Sequence, residues 1–387
     1  MLRALAGWVL HETEENLLLL AYTNRAVDEI CEALDALGGD IRQQYLRIGS
    51  RYATSAPFRE QLLSEKIKAV KKRSELRDIL DRHRIFVSTV ASFSQNDQLL
   101  RLKTFHRLVV DEASQLTEPQ VVGLLTRFEH FTLIGDHRQL PAVTAQHPDH
   151  TRVEDPELLE MGLLDLRDSY FERLFRRCLA EHREASFDQL SRQGRMHAGI
   201  MAFPNEHFYG GFLQTLHPAQ DLPATEDAPP VQFYSTPAEE TLPGQKTNRA
   251  EAELVARLIA RFQEEYARLA LPWRPDKSLG VITPWRAQIA QIRESMAAAG
   301  LDPESVTVDT VERYQGGARD IILISCCANS PAQLSALVSL SGEGVDRKLN
   351  VALTRARQRL IVLGNEEVLS RDERYREFIR RYRSEIP

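Results

Sequence analysis

Two stretches of this sequence end an apolar run in acids. In HRLVVDEASQLTEPQ, residues 106–120, the run stops at Asp111 and Glu112, which small and amide residues follow. In TLIGDHRQLPAV, residues 132–143, it stops at Gly135 and Asp136, with Gln139 shortly after. A carboxylate closing a strand of an open α/β sheet lies on the edge where ligands bind. There Asp111 can hold Mg²⁺, which keeps several waters and takes one or two carboxylates. Its neighbour Glu112 can polarise an attacking water. Acids also suit a helix start, where the macrodipole favours negative charge, so the first stretch taken singly reads both ways, and the second also reads as a plain strand-turn ended by Pro141.

The elements that must position these acids are short apolar strands alternating with helical patterns. Strands are expected over 16–23, 84–90, 106–113, 130–136, 278–284, 306–311, 320–326 and 359–365, with 231–236 joining the second group. Near-continuous Val, Ile and Leu runs suggest burial on both faces, as in parallel sheets. Helices between them imply βαβ units. A helical stretch and the Pro-rich segment 217–230 separate the groups, so two α/β domains are expected, 1–185 and 186–387. The charged helical insertion 52–84 reads either as a solvated helix pair or as a border to a nucleic-acid groove.

The 387 residues, 43% hydrophobic and 27% charged, are ordinary for a globular protein and long enough for two cores. The formal net charge of −6 argues against a generally basic, DNA-coating protein but not against a local groove. No apolar run is long enough to span a bilayer. The start lacks a signal-peptide pattern. The four cysteines form no C-x-x-C pair, which makes a zinc site or disulfide framework unexpected and fits a reducing, cytoplasmic setting.

The two acid-ended stretches resemble motifs II and III of superfamily 1 helicases, in the branch of the nonsense-mediated-decay and Okazaki-fragment-processing enzymes. AYTNRAVDEI (21–30) resembles motif Ia, and VITPWRAQ (281–288) a segment often read T-P-Y-R-A-Q. TVDTVERYQGGARDIILIS (307–325) resembles motif V, and LNVALTRARQRLIVLG (349–364) motif VI. The resemblance implies two tandem RecA-like domains with mostly parallel sheets. It implies an ATP- and Mg²⁺-dependent helicase or translocase moving 5′ to 3′ on single-stranded nucleic acid. DNA is favoured over RNA because no RNA-binding appendage is recognisable.

Carried over residue by residue, Asp111 holds Mg²⁺, Glu112 is the base and Gln139 senses the γ-phosphate. Arg355 becomes an arginine finger, which Arg357 either assists or leaves for contact with the neighbouring motif, and Arg195 a motif IV arginine aimed at the same phosphate. Asp136, Gln315 and Gly316 join the nucleotide site. Thr23, Asn24, Thr283 and Thr310 read as contacts to the nucleic-acid backbone, which hydroxyls and amides make without reading sequence. Trp285 offers a face on which a base can stack, or a packing residue.

The pattern also departs from the family. Gly194 stands where a Tyr would stack on adenine, Ala198 where Pro often follows the motif IV His, and Ala318 where motif V often has Glu. No G-x-x-x-x-G-K-[ST] occurs. The segment before motif Ia reads as the helix that follows this phosphate-binding loop. The expectation is an N-terminally truncated chain whose first domain lacks its P-loop strand and which alone is ATPase-deficient. A non-hydrolysing nucleic-acid-binding module, or degenerate helicase, is the alternative. Half of a split ATPase, completed by a partner chain, is a third reading.

Overall fold

The strands that form are the apolar runs. The computed structural model describes residues 1–96, 98–221, 229–239, 245–314, 317–341 and 343–386. The chain divides into two units, one of residues 1–137 and 141–188, the other of 138–140 and 189–387. Each holds a five-stranded, wholly parallel sheet among helices. The expected α/β architecture is therefore present.

In the first unit the strands are β1 (Leu17–Ala21), β2 (Tyr45–Ile48), β3 (Ile85–Thr89), β4 (Arg107–Asp111) and β5 (His130–Leu133). Their order is β2-β3-β1-β4-β5. β1, β2 and β3 are buried throughout, as parallel strands covered on both faces must be. The helix Asn24–Asp35 after β1 packs on the face of Leu17, Leu19 and Ala21. The helix Glu118–Leu125 after β4 packs on the opposite face, with Leu18, Leu20, Leu108 and Val110. Crossing from β1 to β4, the following helix changes face. That topological switch is where open α/β sheets bind ligands. β5 ends the sheet, with Phe131 exposed, and is not doubly buried as its apolar run suggests.

The second unit adds a small ribbon, β6 (Arg192–Gln193) with β7 (Gln214–Thr215). Its main strands are β8 (Val231–Ser235), β9 (Leu279–Ile282), β10 (Thr307–Asp309), β11 (Arg319–Ser325) and β12 (Ala356–Gly364), in the order β10-β9-β11-β12-β8. One face carries Phe233, Ile322, Leu360 and Val362 and the other Val281, Ile321, Leu323 and Ile361, each under its own helices. No helix among the described residues is long and apolar enough to cross a membrane.

Candidate active site

Asp111 is the last residue of β4 and pairs in register with Ala21 of β1. The acids therefore emerge beside the start of the helix Asn24–Asp35, at the switch point. Burial pushes the Asp111 carboxyl up to about 6, and the adjacent Glu112 pushes the same way. Asp111 lines an open cleft of about 480 Å³ with Met1, Leu2, Arg3, Ala33, Ala36 and Ile134. Glu112 occupies the left-handed region at φ 53°, a costly place for a residue with a β-carbon. Its Oε2 accepts a hydrogen bond of 2.7 Å from Gln115 Nε2.

The loops after β4 and β5 are stitched together. Ala113 N–H donates to the Ile134 carbonyl (2.8 Å), and Asp136 N–H to Ser114 Oγ (3.3 Å). At Gly135 a β-carbon would lie 2.9 Å from Ser114 N, so only glycine permits this approach. Asp136 is thus placed beside Ser114 by backbone contacts.

A second cluster forms within the other unit. Arg355 follows the helix Arg347–Leu353 and is 1% exposed. It donates from Nε to the Val351 carbonyl (3.0 Å) and from Nη2 to Thr354 Oγ1 (3.0 Å) and Gln139 Oε1 (3.3 Å). Arg195 Nη1 donates to the Thr354 carbonyl at 3.3 Å. Gln139, Arg195 and Arg355, far apart in sequence, therefore meet at one corner. Arg357 is exposed and pairs with Asp320 at 3.5 Å, while its carbonyl accepts from His197 N–H.

Among residues read as nucleic-acid contacts, Thr23 is exposed and caps the helix Asn24–Asp35, its Oγ1 accepting from Ala26 N–H. Asn24 is half-buried beside it. Thr310 precedes the short helix Val311–Tyr314, its N–H donating to Asp309 Oδ1. Trp285 is half-buried, with the exposed Lys246 ammonium 5.7 Å from its ring centre. Thr283 is wholly buried, and its hydroxyl has no hydrogen-bond partner among the described residues, so it faces the protein interior. Gln315 and Gly316 lie outside the described residues.

Sequence reasoning missed a buried polar network in the second unit. Glu251, in the first turn of the helix Arg249–Arg268, is fully buried. It accepts from Ser325 Oγ (2.7 Å), Cys327 N–H (2.9 Å) and Thr236 Oγ1 (3.5 Å). Burial pushes its carboxyl up to about 7. Gln288, the third residue of the helix Arg286–Ala298, joins it by donating to Ser325 Oγ (3.1 Å) and the Asn248 carbonyl (2.9 Å). The only sequence signal was an Asn-x-x-Glu helix start.

Two units, each a wholly parallel five-stranded sheet among helices, have the α/β architecture of RecA-like domains. A family profile described as "AAA domain" matches residues 166–367, and another of that description residues 51–147. The chain belongs to this AAA-domain family, in its superfamily 1 helicase branch. It is 29% identical over 376 residues to the Arabidopsis thaliana "DNA replication ATP-dependent helicase/nuclease JHS1", covering 92% of this chain and 25% of the relative. Against the Mus musculus "DNA replication ATP-dependent helicase/nuclease DNA2" the identity is 29%, over 92% of this chain and 33% of the relative. "Regulator of nonsense transcripts 1" of Dictyostelium discoideum is 31% identical over 72% of this chain and 20% of its own length. The chain thus spans about a fifth to a third of these relatives. A solved arterivirus nonstructural protein 10 helicase with DNA aligns at TM-score 0.45 and 13% identity, over 93% of this chain and 57% of that one.

Proposed function

We propose that this chain is part of an ATP-dependent helicase or translocase that moves 5′ to 3′ along single-stranded nucleic acid, DNA in preference to RNA. The observation that carries the reading is the pair Asp111–Glu112 at the switch point, with Glu112 in a strained backbone conformation. Such outliers cluster at active sites because the surrounding fold over-determines them.

The residues fit Mg²⁺-ATP on the carboxylate side. Asp111 carries a charge that burial and Glu112 disfavour, and a divalent cation offsets that cost. Asp111 would hold Mg²⁺ there, and the ion would supply positive charge to the phosphoryl group as it is transferred. Glu112 takes the proton of the attacking water, and Asp136 borders the nucleotide. Arg355 and Arg195 supply cations to the transferring phosphate. Gln139, bonded to Arg355, passes a change at that arginine into the loop that follows β5. Gln315, Gly316 and Arg357 complete the nucleotide-facing set, and Thr23, Asn24, Thr310 and Trp285 the strand-facing set.

No G-x-x-x-x-G-K-[ST] occurs within the 387 residues. The amides and lysine of that loop dominate the grip on β- and γ-phosphates. We propose that the chain by itself hydrolyses ATP poorly. The names of the relatives that pair "DNA replication" with "ATP-dependent helicase/nuclease" support the preference for DNA.

The test is single-strand-stimulated phosphate release, measured for this chain and for a version fused to the P-loop segment of a relative. The fusion is expected to hydrolyse ATP. Glu112→Gln in it should abolish turnover while sparing ATP binding. Undiminished turnover by that variant refutes Glu112 as the base, and robust hydrolysis by the unfused chain refutes the deficiency.

A further inference from the structure

The connection between β2 and β3 contains the run KIKAVKKR, residues 66–73, five cations in a chain of net charge −6. Lys68 pairs with Glu65 at 2.5 Å. Lys71, Lys72 and Arg73 are exposed and make no ion pair among the described residues. Their place follows from topology. β2 and β3 are parallel, so the chain must return from the carboxyl end of one to the amino end of the other. The return leg is the helix Arg73–Arg82, which ends shortly before β3 begins at Ile85. Its ten residues rise about 15 Å, close to the roughly 16 Å length of β3. Lys71, Lys72 and Arg73 therefore lie level with the carboxyl edge of the sheet. Glu75 already caps the helix, bonding the Lys71 and Lys72 amides, so only the side-chain cations remain for a ligand.

The same edge carries Tyr52, which is 98% exposed. Ile48 of β2 and Leu20 of β1 both pair with Ser88 of β3. The three strands thus end level, and the loop after β2 opens beside Thr23 and Asn24, two strand spacings or about 10 Å away. That loop is braced. Asp28, on the helix that Thr23 caps, accepts from the Arg47 guanidinium and from Ser55 Oγ (2.5 Å). Tyr52 N–H donates to Ser50 Oγ at 3.3 Å, and Arg51 pairs with Glu65 at 3.0 Å. An exposed aromatic on a slack loop needs no explanation. Here an exposed ring on a braced loop shares one sheet edge with unpaired cations, the combination of stacking platform and electrostatic groove that single strands use.

We propose that Tyr52, Lys71, Lys72 and Arg73 form a further contact for single-stranded nucleic acid, stacking one base and neutralising the adjoining backbone. The proposal rests on the strand-binding reading above and extends the path from Thr23 across β3 to β2. A duplex hides its base faces, so the site selects unpaired strands.

The test is fluorescence anisotropy of labelled oligo(dT) with the full 387-residue chain. Tyr52→Ala should weaken binding about tenfold and Tyr52→Phe should restore it, in line with loss of one base stack. Lys71→Gln with Lys72→Gln should flatten the slope of log K against log salt by about 1.4, two phosphates' worth for a single strand. Melting temperatures should not move, because these side chains are exposed. If the chain binds oligo(dT) and Thr23→Ala weakens it while the Tyr52 and lysine variants bind as wild type, this proposal falls and the strand-binding reading stands. If the wild-type chain binds no oligo(dT), both fall. Equal loss of duplex binding in Tyr52→Ala, or tighter capture of polyglutamate than of oligo(dT), also overturns it.

Discussion

Glu112 holds a backbone conformation, φ 53°, that its β-carbon disfavours by about 1 kcal/mol or more. Nothing in its packing demands a glutamate, since its one described side-chain bond runs to Gln115, three residues on. Glycine adopts this region freely. Glu112→Gly should therefore be more stable than Glu112→Ala by about 1 kcal/mol, the reverse of the usual order in regular structure. Urea denaturation of both variants checks this. Equal midpoints, or a more stable alanine variant, would show that the left-handed turn is not strained. The two residues contrast in kind. Asp111 is held by register with β1 and is disfavoured electrostatically, whereas Glu112 is disfavoured by its backbone.

At the scale of elements, the helix Arg249–Arg268 is joined to the end of β11 through Glu251. Its carboxyl, pushed up to about 7, titrates far above an unfolded glutamate at about 4.3. The folded state therefore binds the proton more tightly than the unfolded chain does. The stability contributed by Glu251 is greatest below about pH 4, falls as pH rises towards 7, and levels off above that. Glu251→Gln keeps an acceptor for Ser325 and Cys327 and removes the charge. It should flatten the decline, so that the variant melts above wild type at pH 8 and near it at pH 4.5. Glu251→Ala should cost about 2–3 kcal/mol at pH 4.5 by leaving buried donors unpaired, and less at pH 8, where wild type has lost the contribution of the protonated carboxyl. Parallel melting curves for wild type and Glu251→Gln across this range would refute the raised titration.

This network also marks where sequence reading stops. The strands with unbroken Val, Ile and Leu runs were legible because burial on both faces writes itself into composition. β2 was not, since YLRI contains an arginine whose burial depends on Asp28 in another element. Gly135 and Asp136 were legible as a strand end, but the approach to Ser114 that makes glycine necessary was not. Thr283 stands in a motif-like segment, yet its hydroxyl turns inward. Glu251 looks like one more surface charge until Ser325, much later in the chain, closes over it.

At the scale of the whole molecule, the features proposed to hold a strand and those proposed to hold a nucleotide are unequally represented. The strand-facing set, from Thr23 to the basic turn at Lys71–Arg73, needs only exposed hydroxyls, amides, a ring and cations, all of which these 387 residues contain. The nucleotide-facing set has its carboxylates and arginines but no phosphate-cradling loop within the same residues. Because a ligand shifts an equilibrium only by its differential affinity for the two states, ATP that binds weakly cannot drive the chain between strand affinities. Oligo(dT) affinity should therefore change less than twofold on adding Mg²⁺-ATP or a non-hydrolysable analogue at millimolar concentration. The affinity itself should fall steeply with salt, since backbone neutralisation dominates it. Titrations at two salt concentrations, each with and without nucleotide, separate the two effects. A tenfold nucleotide-dependent change in affinity would mean that Asp111, Glu112 and the arginines grip ATP without that loop, and the proposed division of labour would have to be abandoned.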